Sequence, residues 1–118
     1  MKLPITAIVL TFNEEKNIFE CLESVKDLCD EIIIVDSGSS DRTLEIVKQY
    51  TDKIYSHPFD NYSRQRNWAL ENIPIKNDWI LNLDADHRIT QELKEELGTL
   101  FSKGIPADVN GFLISRRT

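Results

Sequence analysis

Two aspartates one residue apart, Asp84 and Asp86, come directly after an apolar run that opens at Trp79 and continues as Ile-Leu-Asn-Leu. Bulky aliphatic residues in such a run predict a strand that is buried on both faces. In open α/β sheets, ligands bind outside the carboxyl ends of the strands. Carboxylates bind hard divalent cations that also take phosphate oxygens, and the small Ala85 leaves the backbone approachable. The pattern therefore predicts a metal site for a phosphorylated ligand at this strand end.

These aspartates also fit a simpler interpretation, because aspartate is common in turns and as a helix cap. A second strand with a matching end favours the functional interpretation, since the aliphatic residues 32–35 run into Asp36, Ser37 and Gly38. The Asp36 carboxylate can accept hydrogen bonds from an imide or a ribose hydroxyl, and glycine permits close approach of a ligand. Ser37 is explained equally well as a turn or capping residue.

A sheet is needed to bring these strand ends together. Residues 5–10 are β-branched at several positions and predict a first, central strand. Thr11 and Glu14 have the spacing of a capping box, and the apolar residues that follow recur at helical spacing. We therefore predict a helix over 14–28 whose apolar stripe covers the sheet.

A second strand, predicted over 31–36, leads into a helix that Ser40 or Asp41 would cap. The apolar side of this helix carries Leu44, Val47 and Tyr50. Parallel strands joined by crossover helices place every strand-to-helix loop on one rim of the sheet. The loop at 11–13 is therefore expected on the same rim as the aspartates.

A polar loop with aromatic residues follows a short strand predicted over 53–56, and His57 is interpreted as a surface residue at its end. Ser63 predicts the N-cap of a helix whose first turn contains Arg64 and Arg66. Cations at this position are unfavourable by roughly a few tenths of a kcal/mol, so a bound phosphate would compensate them. We assign that phosphate contact to Arg66, although two solvated arginines explain the pattern as well.

The last part of the chain predicts an amphipathic helix capped by Thr90 and ended by Gly104 and Pro106, followed by a strand over 111–115. His87 lies between the two aspartates and this helix. It is close enough in sequence to touch a metal or a substrate, but a histidine in a loop is more often simply solvated.

The composition indicates one domain over residues 1–118 and excludes several classes of protein. The net charge is -6, the isoelectric point is near 4.9 and the basic residues are scattered, which argues against a nucleic-acid surface. The Gly-rich dinucleotide fingerprint and the phosphate-binding loop of P-loop NTPases are both absent. No transmembrane segment or signal-peptide core is recognisable, so we expect a cytoplasmic protein. Cys21 and Cys29 are interpreted as reduced packing residues.

Four segments, taken in their order along the chain, resemble the motifs of family 2 glycosyltransferases. They are residues 8–15 (Ile-Val-Leu-Thr-Phe-Asn-Glu-Glu), 34–43 (Ile-Val-Asp-Ser-Gly-Ser-Ser-Asp-Arg-Thr), 65–70 (Gln-Arg-Asn-Trp-Ala-Leu) and 79–86 (Trp-Ile-Leu-Asn-Leu-Asp-Ala-Asp). The combination of the second and third segments is similar to the bacterial branch that adds glucose to lipopolysaccharide cores.

The resemblance implies a GT-A fold, an α/β nucleotide-sugar-binding fold whose mainly parallel, Rossmann-like sheet is flanked by helices. It implies an inverting transfer from a nucleotide-diphospho-sugar donor, a UDP-hexose, to a hydroxyl of a cell-envelope glycan, a lipid-linked acceptor or a lipopolysaccharide core. Carried over by position, Thr11, Asn13 and Glu14 would line the nucleotide site. Asp36 would face the uracil, with Ser37 beside it.

The same resemblance assigns roles at the metal end of the site. Asp84 and the adjoining Ala85 would lie near the ribose, and Asp86 would bind Mn²⁺ or Mg²⁺ across the diphosphate. Arg66 would meet the nucleotide. The metal would neutralise the departing UDP.

Two departures from the family pattern bear on these roles. Many relatives have a second aspartate where this chain has Ser37, and a glutamate where it has His87. The general base of the family normally belongs to an acceptor half, which would lie beyond residue 118. We therefore expect the chain to be the N-terminal, donor-binding part of a longer enzyme and to be inactive alone. The apolar edge of its last strand would then favour self-association.

Two other functions compete with transfer. One is a nucleotide-sugar-binding module without catalytic activity. The other is a nucleotidyltransferase of related fold, which usually carries a Gly-rich, basic loop near its N-terminus, and residues 11–14 show none. For a transferase that uses a lipid-linked acceptor, the expected location is the cytoplasm or the cytoplasmic face of the membrane.

Overall fold

The structure is a computed structural model that describes residues 2–103 and 114–116. Strands and helices alternate along most of the chain, as the sequence predicts. Their bounds are β1 Leu3–Thr11, α1 Ile18–Val25, β2 Cys29–Asp36, α2 Thr43–Val47, β3 Ile54–Ser56, α3 Tyr62–Asn72, β4 Trp79–Asp84, α4 Gln91–Lys103 and β5 Ile114–Arg116. No helix in the described ranges has the length and apolar character needed to cross a membrane.

The strands form one sheet in the order β3-β2-β1-β4-β5, in which β5 is antiparallel to β4 and the other neighbours are parallel. The predicted α/β class is confirmed, and so is the central position of the first strand. Thr11 lies opposite Asp36 and Leu10 lies opposite Asp84, so three strands end at one level. This register produces the predicted rim.

The sheet is buried on both faces, because alternate residues of β1 enter different cores. Ile5, Ala7 and Val9 pack in a core that includes apolar residues of α1, α2 and α4. Ile8 and Leu10 face the opposite core, to which α3 contributes. Cys21 and Cys29 are buried in the first core and form no disulfide, which confirms their interpretation as packing residues.

The predicted start of the first helix is wrong. Thr11 still belongs to β1, and its hydroxyl donates to Asp36 instead of capping a helix. The Glu14 carbonyl accepts hydrogen bonds from the N–H groups of Asn17 and Ile18, so a turn precedes α1. A register contact across the sheet has therefore overridden the local capping-box pattern, and the predicted end near Leu28 is also too late because α1 ends at Val25.

Two of the other predicted caps are confirmed at the level of hydrogen bonds. The Asp41 carboxylate accepts from the Thr43 N–H at 2.9 Å, although Arg42 is the residue immediately before α2. The Thr90 hydroxyl accepts from the Leu93 N–H at 3.1 Å at the start of α4. The predicted end of that helix, and residues 111–113 of the predicted last strand, lie outside the described residues.

The predicted cap of α3 is wrong by two residues. Asn61, not Ser63, precedes the helix, and its side chain accepts a hydrogen bond from the Arg64 N–H at 2.9 Å. Ser63 is consequently inside the helix. Arg64 remains in the first turn, where it pairs with Asp60, whereas Arg66 lies beyond that turn.

A buried carboxylate joins three segments at the edge of the sheet opposite the rim. Glu31 accepts hydrogen bonds from the Thr6 hydroxyl at 2.6 Å and the Lys76 N–H at 2.9 Å, and it forms an ion pair with Lys53. Burial alone would raise the pKa of Glu31, but these hydrogen bonds hold it below its usual value. The charged form therefore stabilises the fold.

We expect Glu31→Ala to lower the free energy of unfolding by about 3 kcal/mol, because removing one member of a buried ion pair leaves its partners without an acceptor. Glu45→Ala removes the exposed Arg42–Glu45 pair and is the matched control, with an expected loss of at most about 0.5 kcal/mol. Urea denaturation of both variants measures the difference. Equal losses would show that the Glu31 network does not stabilise the fold.

Candidate active site

The loops after β1, β2, β3 and β4 surround one cavity at the rim of the sheet, with a volume of about 590 Å³. Its lining residues come from all four strand ends, as the rim argument predicts. They are Leu10, Thr11, Phe12, Glu14, Ser37, Pro58, Phe59, Tyr62, Asp84, Ala85, Asp86 and His87. Six of the predicted site residues are in this set, whereas Asn13, Asp36 and Arg66 are outside it.

Asp36 organises the loop after β2. One carboxylate oxygen accepts hydrogen bonds from the hydroxyls of Thr11 (2.7 Å) and Ser39 (2.6 Å). The other accepts from the N–H groups of Gly38 (2.9 Å) and Ser39 (2.8 Å). The side chain is buried, with only 1% of Asp36 exposed. A carboxylate has about four acceptor positions, and these donors occupy all of them.

The charge of Asp36 is maintained by this set of donors. Burial alone would raise the pKa of the carboxyl group, but the hydrogen bonds from Ser39, Thr11 and Gly38 hold it below its usual value. The neighbouring Ser37 faces the cavity instead. The predicted contact of Asp36 with a uracil stays a prediction, and it would require one of the four internal hydrogen bonds to be released.

Asn13 joins the loops after β1 and β2. Its N–H donates to the Ser39 hydroxyl and its side-chain oxygen accepts from the Ser40 N–H, both at 2.8 Å. The residue has a φ of 50°, in the left-handed region that asparagine tolerates better than most residues. Asn13 therefore connects two loops of the cavity from an exposed position outside the lining. Glu14 belongs to the lining, and its N–H donates to the Thr43 hydroxyl.

The metal candidates lie together at the end of β4. Asp84, Asp86 and His87 each offer a ligand atom, and the three atoms lie within 4.8 Å of one another. Ala85 is buried between the aspartates and donates its N–H to the Leu10 carbonyl at 3.2 Å, which keeps the turn against β1. Two carboxylates and an imidazole form a donor set that suits a divalent ion, so these residues fit the predicted metal.

Arg66 approaches the metal candidates from α3. Its guanidinium lies 3.4 Å from an Asp84 oxygen and over the ring of Tyr62, 6.0 Å from the ring centre. Within the described ranges, its buried Nε has no hydrogen-bond partner. Arg66 compensates the charge of Asp84, while Asp86 remains exposed. Its predicted contact with the phosphates of a nucleotide stays a prediction.

Sequence reasoning missed an aromatic wall of the cavity. Phe12, Phe59 and Tyr62 each expose more than half of their surface, and the rings of Phe59 and Tyr62 meet edge to face at 5.2 Å. Exposed rings beside a polar site suit the flat faces of a base or a sugar. Three aromatic residues in otherwise polar loops were the available signal.

Sequence reasoning also missed Gln65, which fixes α3 to the rim. Its side chain is buried, donates to the Ser37 hydroxyl at 3.3 Å and the His57 carbonyl at 3.1 Å, and bonds the His57 ring at 2.8 Å. That ring also stacks on Trp68, with centroids 4.2 Å apart. His57 is thus partly buried and structural, which corrects its interpretation as a surface residue. No local pattern marks a glutamine as buried.

Asp36→Ala is expected to lower the free energy of unfolding by about 1–3 kcal/mol at neutral pH, because buried donors lose their acceptor. Since the folded pKa of Asp36 is depressed, the wild-type advantage is present above the unfolded pKa and disappears as the pH falls through the folded pKa. Denaturation of both proteins between pH 7 and pH 2 measures this. If the wild type were still more stable than the variant by the same amount at pH 2, the stabilisation could not be assigned to the charged carboxylate.

Comparison with known proteins identifies the family of this chain. The sequence profile described as "Glycosyl transferase family 2" matches residues 6–116. The chain is 36% identical over 121 residues to the lipopolysaccharide core biosynthesis glycosyltransferase LpsC of Rhizobium meliloti, covering 98% of this chain and 43% of LpsC. It is 41% identical over 98 residues to an uncharacterised glycosyltransferase of Rickettsia bellii, covering 83% of this chain and 33% of that protein. The chain thus spans less than half the length of these relatives.

Solved structures show the same fold. The S. aureus protein TarS (residues 1–349), solved with UDP, is similar with a TM-score of 0.64 and 28% identity over 86% of this chain and 32% of that one. Glucosyl-3-phosphoglycerate synthase of Mycobacterium tuberculosis, solved with Mn²⁺ and UDP-glucose, gives a TM-score of 0.54 and 26% identity over 70% of this chain and 33% of that one. With the strand-end carboxylates and the matching profile, these likenesses establish that the chain belongs to glycosyltransferase family 2 and has its GT-A fold.

Proposed function

We propose that this chain forms the donor-binding part of an inverting glycosyltransferase that transfers a hexose from UDP to a hydroxyl of a cell-envelope glycan or lipopolysaccharide core. The observation that carries the proposal is the position of Asp84 and Asp86 in the cavity that the loops after β1 and β2 also line. UDP complexes of similar proteins support the donor, and the likeness to LpsC supports the acceptor class. A cytoplasmic site of action, at the membrane face for a lipid-linked acceptor, follows from the proposal.

The two ends of the cavity suit the two ends of a nucleotide sugar. At one end, the Ser37 hydroxyl and the aromatic wall offer a polar group and ring faces to a nucleoside, with Thr11, Asn13 and Asp36 holding the loops in place. At the other end, the carboxylates at the tip of β4 would face the diphosphate. Repulsion between these carboxylates and phosphate requires a cation between them.

Asp84 and Asp86 would hold Mn²⁺ or Mg²⁺ at this end. When bound, the ion would supply neutralisation of the negative charge that develops on the departing diphosphate. The chain's own contribution is positional: β4 delivers both carboxylates to the rim, and Arg66 limits the charge on Asp84. When the donor binds, the Arg66 guanidinium would exchange its contact with Asp84 for a contact with the nucleotide.

Turnover and ligand preference distinguish glycosyl transfer from the two rival functions. A nucleotide-sugar-binding module without activity would bind the same donors but would show no turnover in a longer chain that includes the acceptor half. A nucleotidyltransferase would bind a nucleoside triphosphate and a sugar phosphate. Titration with UDP-glucose, UTP and glucose 1-phosphate, each with and without Mn²⁺, separates the second rival from the proposal.

We expect UDP to bind more tightly in the presence of Mn²⁺, and we expect Asp86→Ala to abolish that gain. Asp86 is exposed at the rim, so its removal opens no cavity in the core and the fold should survive. Isothermal titration with and without metal gives both affinities. Asp78→Ala, which removes an exposed carboxylate before β4, is the control and should keep the metal effect. Equal UDP affinity with and without Mn²⁺ in the wild-type protein would contradict the proposal.

Asp36→Ala separates the two roles available to that residue. Because its carboxylate is saturated by loop donors, we expect the variant to weaken UDP and ADP by a similar factor. A direct bond to the uracil imide would instead cost UDP about tenfold or more beyond the loss for ADP, since charge-assisted hydrogen bonds contribute about 1.5–3 kcal/mol. That second result would support the contact between Asp36 and the uracil that the sequence predicts.

A further inference from the structure

We infer that His87 supplies a nitrogen ligand to the ion held by Asp84 and Asp86 and so biases this site toward Mn²⁺ over Mg²⁺. The inference rests on the proposed metal function. His87 thereby becomes a residue that determines metal specificity.

The turn after β4 folds His87 back onto the end of the strand. The His87 N–H donates to the Asp84 carbonyl at 2.9 Å, and the Asp84 N–H donates to the ring Nδ1 at 3.2 Å. These reciprocal bonds hold the imidazole in the same cavity as both carboxylates. The His87 side chain stays 44% exposed at the cavity, so an ion held by the aspartates can reach its ring.

Nε2 is the ring atom that faces the metal candidates, at 3.9 Å from an Asp84 carboxylate oxygen. A neutral imidazole carries one N–H, so ligation through Nε2 places the proton on Nδ1 and ends the hydrogen bond from the Asp84 N–H. That bond is one of the longer ones at the rim. The exchange replaces one weak hydrogen bond with a metal bond and needs only a small side-chain movement.

The chemistry of the donor set determines the preference. Mg²⁺ selects oxygen ligands and keeps several waters. Mn²⁺ also binds oxygen ligands well, but as a first-row transition metal it accepts an imidazole nitrogen more readily than Mg²⁺ does. Two carboxylates alone would serve either ion. Adding a nitrogen donor improves binding of Mn²⁺ more than that of Mg²⁺, and replacing it with a carboxylate reverses the effect.

His57 provides an internal control because the chain contains only two histidines. Its Nδ1 is bonded to Gln65 at 2.8 Å and its ring stacks on Trp68, outside the cavity lining. Any histidine nitrogen coupled to a bound metal can therefore be assigned by comparing His57→Gln with His87→Ala.

The experiment measures UDP affinity with Mn²⁺ and with Mg²⁺ in the wild type, His87→Ala, His87→Glu and His57→Gln. Pulsed EPR of the Mn²⁺–UDP complex reports nitrogen coupling directly. We expect histidine ¹⁴N coupling in the wild type and in His57→Gln, and its loss in His87→Ala. We also expect the ratio of the Mn²⁺ to the Mg²⁺ affinity to fall about tenfold in His87→Ala, and to fall in His87→Glu while metal binding is retained. Circular dichroism confirms that each variant is folded.

Two results would overturn the inference alone: a Mn²⁺–UDP complex without histidine nitrogen coupling, or an unchanged affinity ratio in both His87 variants. If Mn²⁺ has no effect on UDP affinity in the wild type, the proposed metal function fails and the inference fails with it. The two failures are distinguishable because the first leaves the metal effect on UDP intact.

Discussion

The parallel register of β1 with its two neighbours is the constraint on which the site depends. Thr11 lies opposite Asp36, and Leu10 lies opposite Asp84, so the chain leaves all three strands at the same height. Aliphatic side chains on both faces make this register costly to change, because a shift of one residue would exchange the two cores. The apolar interior thus positions polar residues that are distant in sequence.

Above the sheet, hydrogen bonds between loops replace apolar packing. Asp36 collects four donors from Thr11 and from residues 38–39, and Asn13 joins the same two loops through its backbone and its side chain. Gln65 performs the same task between α3 and the end of β2. Loops held by this many hydrogen bonds are restricted in conformation, so the end of the cavity that we propose for the nucleoside is shaped by the protein's own contacts.

The end of the cavity that we propose for the metal is built differently, from two carboxylates of which only Asp84 has an arginine partner. Arg66 lies against Asp84, whereas Asp86 is exposed to solvent in a chain whose net charge is -6. Such a site gains from a cation and repels phosphate without one. On the proposed function, a hydrogen-bonded end would take the nucleoside and an ion-dependent end would take the diphosphate of one nucleotide sugar.

The sequence by itself determined the α/β class, the central first strand, the rim and half of the residues that line the cavity, because hydrophobic periodicity and strand-end aspartates are recognisable within a few residues. Local patterns failed at Thr11, where a distant partner outcompeted a neighbour, because its hydroxyl bonds Asp36 instead of capping a helix. They also misplaced the start of α3, because Asn61 and Ser63 are both residue types that cap helices and Asn61 is the one that does so. Only the tertiary structure decided that Asp36 lies outside the cavity lining, that Gln65 is buried and that His87 turns toward the aspartates. Each depends on groups that come together only when the sheet and its loops have formed.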